Sequence, residues 1–177
     1  MKKSFIAASL VAAALLTACG GDSSVTENTT ASQADTTSSA ADTSVSEAAA
    51  ASAADITAAV TAEIEIPSAV EKDIDNISAF YDVDTAAVTD MSVLICGSGA
   101  YPDELAVFKF TDAEAAKTGA EAVQKRLDSQ TELYADYTPD EMYKLEDAFV
   151  LVKDEWVAMA ACSNNARAKE IIENMLT

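Results

Sequence analysis

The 177-residue chain contains no histidine. That absence removes every Ser-His or Cys-His nucleophile arrangement and the commonest metal ligand. Bases are also scarce, 11 Lys and Arg against 30 Asp and Glu, for a formal net charge of −19. A field of that sign repels phosphate backbones and anionic headgroups, which argues against nucleic acid as a partner. A cationic peptide, a cationic polymer or a divalent ion stays compatible with it. The apolar run Phe5–Leu16 is too short to span a hydrocarbon core of about 30 Å, which needs about 20 helical residues. Cysteine is limited to Cys19, Cys96 and Cys162.

What is present begins at the N-terminus. Lys2-Lys3, the run Phe5–Leu16 and then Leu16-Thr17-Ala18-Cys19 resemble a bacterial lipoprotein signal, in which small residues before a cysteine admit a diacylglyceryl group onto the thiol. Residues 1–18 are therefore set aside as a signal peptide cleaved between Ala18 and Cys19. Two acyl chains on Cys19 suffice for stable attachment at about 0.8 kcal/mol per buried methylene. The expected address is the cell membrane, facing the extracytoplasmic side. Loss of Lys2 and Lys3 takes the mature charge from −19 to −21.

After Cys19, residues 20–52 are Ser, Thr, Ala and acid, with no aromatic residue, and Val25 and Val45 are the only large aliphatics. Such a stretch buries too little surface to offset its ordering entropy and reads as a disordered tether. Residues 53–177 hold 25 acids and nine bases and read as one domain. Of its two thiols, Cys96 and Cys162, each ends an apolar strand-like run. They are expected either to close one disulfide in an oxidising exterior or to stay as two buried thiols.

The periodicities predict an order of elements. Ser52 and Asp55 read as a weak capping box before a helix carrying Ile56, Val60 and Ile64, stopped near Glu65 by Pro67. Short helical turns are expected over Glu71–Asp84. Met91–Cys96 and Leu105–Phe110 read as strands joined by residues 97–104. Thr111-Asp112-Ala113-Glu114 reads as a capping box for a helix with the stripe Ala116, Ala120, Val123, Leu127 and Tyr134. Thr138-Pro139-Asp140-Glu141 reads as a second, with Tyr137 and Met142 as its staple. Phe149–Val152 and Trp156–Cys162 form a second hairpin, and Ser163 or Asn165 caps a last helix through Ile171 and Leu176. The fold class is α+β: an antiparallel sheet of two β-hairpins in β-β-α-α-β-β-α order with an N-terminal helix. Apolar residues on both strand faces, with Ala158, Ala160 and Cys162 sharing one, predict helices on both sides.

This order, with Pro102-Asp103-Glu104-Leu105-Ala106-Val107-Phe108-Lys109, then Lys125-Arg126 and Gln130, then Tyr137-Thr138-Pro139 and the hairpin Phe149–Cys162, resembles the domain of unknown function 4358 family of small bacterial lipoproteins. The likeness covers about residues 55–177. It implies the lipoprotein address and the fold order and brings no catalytic residues. Where that family usually has glycine in the last hairpin turn, this chain has Asp154-Glu155.

Four constellations bear on function. Glu71, Asp73, Asp75, Asp82 and Asp84 are dense in carboxylate, but the alternation breaks at Ala86 and no glycine supplies a sharp turn, so they read as caps and solvated acids rather than a calcium loop. The loop Gly97–Asp103 offers Tyr101 and Asp103 as contact residues, beside an explanation by turn chemistry alone. Arg126 either turns inward to hold a buried carboxylate or an anionic ligand, or pairs on the surface with Glu121 and Asp128, the commoner fate. Tyr134, Tyr137, Tyr143 and Trp156 form either a sugar-stacking patch or ordinary core. No catalytic, cofactor-binding or metal residues are assigned. The expected function is a non-enzymatic, lipid-anchored domain binding an envelope protein or wall polymer. The alternatives are a small carboxylate-dependent wall glycosidase and a solute or ion receptor subunit.

Overall fold

Along the strand from Glu104, the residues Leu105 and Val107 alternate with Ala106, Phe108 and Phe110, so apolar side chains leave it on both faces and both need cover. The structure, a computed structural model, describes residues 51–176. The expected signal peptide, the expected lipid-attachment residue Cys19 and residues 20–50 of the expected tether lie outside the described residues. Helix α1 (Ala53–Thr61) is followed by strand β1 (Ala69–Lys72), two 3-10 turns (Ile77–Ala79 and Thr85–Ala87), β2 (Val88–Cys96) and β3 (Glu104–Phe110). Then come α2 (Ala113–Tyr137), a 3-10 turn (Pro139–Glu141), α3 (Met142–Glu146), β4 (Phe149–Lys153), β5 (Trp156–Ala161) and α4 (Asn165–Met175).

The strands form one antiparallel sheet in the order β1-β2-β3-β5-β4. The two hairpins β2–β3 and β4–β5 meet at the β3–β5 junction, where Leu105 lies opposite Ala160 and Val107 opposite Ala158. One face packs Val93, Ile95, Phe108, Val157 and Met159 against Val123, Leu127 and Tyr134 of α2, with Ile77 and Tyr81. The other packs Leu105, Val107, Ala158 and Ala160 against Ile56 and Val60 of α1 and Ile171 and Ile172 of α4. The alanines let these two helices approach closely, as their shared face predicts. An exposed bidentate pair, Arg167 to Glu63 at 2.8 Å for both bonds, ties α4 to the end of α1.

Several local expectations change. The Ser52–Asp55 capping box is present, but α1 ends at Thr61, well before Pro67, and Ile64 is buried through a last turn in which its N–H reaches the Val60 carbonyl at 2.9 Å. Strand β1 is an addition that runs into the start of the stretch read as helical turns. Its four residues are mostly exposed, so no alternation marks it. It is admitted by Gly97, where a Cβ would lie 2.5 Å from Val70 Cγ2 and 3.0 Å from the Ser68 carbonyl. Asp112, not Thr111, caps α2, accepting from the N–H groups of Glu114 and Ala115. Thr138 makes no side-chain cap bond, and the Pro139 segment opens as a 3-10 turn before α3. The staple does not form, since Tyr137 is 69% exposed. Asn164 caps α4 through a bond from the Arg167 N–H, because Asn165 is engaged elsewhere. In the last hairpin turn Asp154 takes a left-handed φ of 51°, a conformation Asp tolerates better than most residues and where glycine fits without strain.

Candidate functional site

At the head of β3 two acids stand side by side, Asp103 and Glu104, and successive strand residues face opposite ways. Both are buried. Glu104 opens onto the α2 side. Its Oε2 accepts from Arg126 Nη2 at 2.8 Å and from Gln130 Nε2 at 2.6 Å. Its Oε1 accepts from Arg126 Nε at 3.3 Å and from the Tyr81 hydroxyl. Arg126 and Gln130 reach it together because they are four residues apart on one helix face. Burial works to lower the Arg126 value, but Glu104 outweighs it and holds the guanidinium charged. Burial first, and then the charge of Glu104, push the Tyr81 phenol well above its usual value.

Asp103 pairs instead with Lys144 of α3, Oδ2 to Nζ at 2.6 Å, and Glu141 stands 2.7 Å from the same ammonium. Burial would lower the Lys144 value, yet the bonds from Asp103 and Glu141 raise it above the ordinary lysine range. Burial pushes the Asp103 carboxyl up, against the pull of Lys144. The Lys144 carbonyl accepts from Asn165 Nδ2 at 2.7 Å, and Asn165 Oδ1 accepts from the Cys162 N–H at 2.9 Å and its thiol at 3.3 Å. Lys144 and Asn165 thus lock α3 to the start of α4. Each of these two interior acids has its own cation.

Beside this lock, between α3 and α4, lies an open cavity of about 410 Å³, lined by Tyr143, Asp147, Phe149, Cys162, Asn165 and Lys169 among others. Asp147 is its one carboxylate. A second, shallower depression lies on the outer side of α2, lined by Ser129, Glu132, Leu133, Asp136 and Tyr137.

The residues singled out in the sequence divide accordingly. Asp103 is no contact residue: it is 1% exposed and committed to Lys144. Tyr101 is 42% exposed, its ring 5.2 Å from Lys144 Nζ, and its carbonyl accepts from the Tyr134 hydroxyl at 3.0 Å. Cys96 and Cys162 are free, buried thiols. Strand β3 runs between them, putting their backbones two strand spacings, about 10 Å, apart, beyond disulfide reach. Burial raises the Cys162 thiol, which leaves it protonated and inert. Arg126 turns inward onto a carboxylate rather than pairing with Glu121 or Asp128. In the acidic run, Asp84 caps a 3-10 turn, Asp73 accepts from the Asn76 backbone, and Asp82 pairs with Lys125 at 3.5 Å. Among the described residues no group of acids or cysteines is arranged to hold a metal ion. The aromatic residues do not converge: Tyr134 is core, Trp156 packs on the α1–α4 side, Tyr143 lines the cavity and Tyr137 the α2 depression.

Glu104, Gln130 and Lys144 carry the interior chemistry, and none was marked as a site in the sequence. Gln130 did leave a signal, a polar residue in the apolar stripe between Leu127 and Tyr134. Lys144 left none, sitting in a five-residue helix. Among the described residues no helix is long and apolar enough to cross a membrane. No curated protein and no solved structure matches the chain. The model of one family, described as Domain of unknown function (DUF4358), matches residues 62–162, more than half of the sequence, and the chain belongs to that family.

Proposed function

We propose that this protein is a lipid-anchored, extracytoplasmic domain that binds a partner at the cell envelope without transforming it. The observation that carries the reading is Cys19 in its setting: Lys2-Lys3, the apolar run Phe5–Leu16, then Leu16-Thr17-Ala18 against the cysteine. Binding rather than catalysis is supported by the interior, where Glu104 is matched to Arg126 and Asp103 to Lys144. A two-carboxylate glycosidase needs a pair of acids about 5–10 Å apart flanking a groove; the cavity between α3 and α4 has one carboxylate in its lining, Asp147, and Glu132 and Asp136 line a shallow depression rather than a groove. The test is a comparison of Cys19→Ser with the wild type in fractionated cells. The wild type is expected with the membranes and the variant released from them. An unchanged distribution would overturn the anchor.

A further inference from the structure

Leu133 and Tyr137, one turn apart near the end of α2, are 63% and 69% exposed, the two most exposed large apolar side chains among the described residues. They line the shallow depression on the helix's outer side together with Ser129, Glu132 and Asp136. Isolated exposed apolar residues are ordinary; these two share one helix ridge and one depression.

The charges around the pair decide what fits. Residues 127–143 contain five acids, Asp128, Glu132, Asp136, Asp140 and Glu141, and no base. Asp128, Glu132 and Asp136 recur every four residues, so they form a column of like charge beside the apolar ridge. Like charges at that spacing destabilise a helix by roughly 0.2–0.5 kcal/mol per pair. They also crowd the C-terminal end, where the helix dipole favours cations, and the last turn of α2 carries no basic residue. Asp128 has a bond from Gln124 Nε2 at 2.8 Å, but among the described residues no cation stands within ion-pair distance of Asp128, Glu132 or Asp136. A local arrangement that works against its own helix is where a functional surface is expected.

We infer that this face of α2 docks a basic amphipathic segment of a partner protein: an apolar anchor seated on Leu133 and Tyr137, with Lys or Arg side chains against Glu132 and Asp136. The inference rests on the binding-domain reading above and names its surface and partner chemistry. A second copy of this chain is the wrong occupant, since 25 acids against nine bases in residues 53–177 set two copies repelling each other. A polycation without apolar groups would satisfy the acids and leave the ridge uncovered.

The experiment uses the full-length chain and two synthetic helical peptides of equal length and charge, one of Leu and Lys, the other of Ser and Lys. Binding is followed by fluorescence anisotropy at low and at elevated salt. The Leu/Lys peptide is expected to bind at least tenfold more tightly than the Ser/Lys peptide. Leu133→Ser with Tyr137→Ser should abolish that preference, while Val152→Ser, at an exposed apolar site on β4, should leave it unchanged. Glu132→Gln with Asp136→Asn should weaken binding of both peptides and flatten the salt dependence. Equal affinity for the two peptides, no binding of either, or a preference that survives in the Leu133/Tyr137 variant overturns the inference. These outcomes are independent of the Cys19→Ser fractionation, so docking can fail while the anchored reading stands.

Discussion

The two faces of the sheet are built from different materials. The side under α1 and α4 packs Ile56, Val60, Leu105, Val107, Ile171 and Ile172 around alanines and includes a buried neutral hydroxyl pair, Thr57 to Ser92 at 2.7 Å. The side under α2 is equally apolar at its centre but carries at one end a buried acid with three donors, Arg126, Gln130 and Tyr81. An apolar face specifies a volume and is forgiving of exchange among similar shapes. A buried ion pair contributes little net stability but is costly to break, so it fixes how α2 lies on β3. The same helix presents Leu133 and Tyr137 outward.

Breaking the pair should produce the largest effect. Arg126→Met leaves the buried Glu104 without its cation, and chemical denaturation should show a loss of about 3–5 kcal/mol. On the other face, Ile172→Ala should cost about 2–5 kcal/mol through the cavity it leaves. That loss should change little between neutral and alkaline pH, because it acts through packing and removes no charge. The smallest change sharpens the contrast. Tyr81→Phe removes one donor from Glu104 at a cost of about 1–3 kcal/mol, and it should alter the response to pH. The Tyr81 phenol and the Lys144 ammonium are both raised above their ordinary values of 10.0 and 10.5. In the folded state they hold protons that the unfolded chain has given up. Their stabilisation is complete below those ordinary values and is lost as pH rises through the raised ones. Thermal melts from about pH 8 to about pH 11 should show falling stability, and Tyr81→Phe should show a shallower fall.

The frame of this domain was open to sequence reasoning because hydrophobic periodicity is a local signal. Both hairpins, the long helix with Val123 and Leu127, and the cover on both faces follow from spacing alone. What escaped was set by contacts between segments far apart in the chain. Strand β1 exists because β2 offers it an edge and Gly97 leaves it room. Caps shifted by one residue, to Asp112 and Asn164, because the neighbouring hydroxyl or amide did not meet the helix end. Asn165, one of the two expected caps, is drawn off by Cys162 and Lys144. Arg126 has an acid at Glu121 and another at Asp128 in the sequence, and nothing local says that it will choose Glu104, 22 positions away. The docking ridge was half legible: Tyr137 was singled out as a staple, but its exposure beside Leu133 is a property of how α2 is rotated on the sheet.

On the proposed reading the interior charges are scaffold and binding sits on the surface. Its most direct test is the double variant Glu104→Gln with Arg126→Met, assayed for both stability and binding of the Leu/Lys peptide. With the charge removed from both partners, Gln130 can turn its unpartnered Oε1 toward the new amide. Stability should then return to within about 1–2 kcal/mol of the wild type, with peptide affinity unchanged. A variant that folds as well as the wild type but has lost the peptide would place the buried pair inside the site and contradict the account.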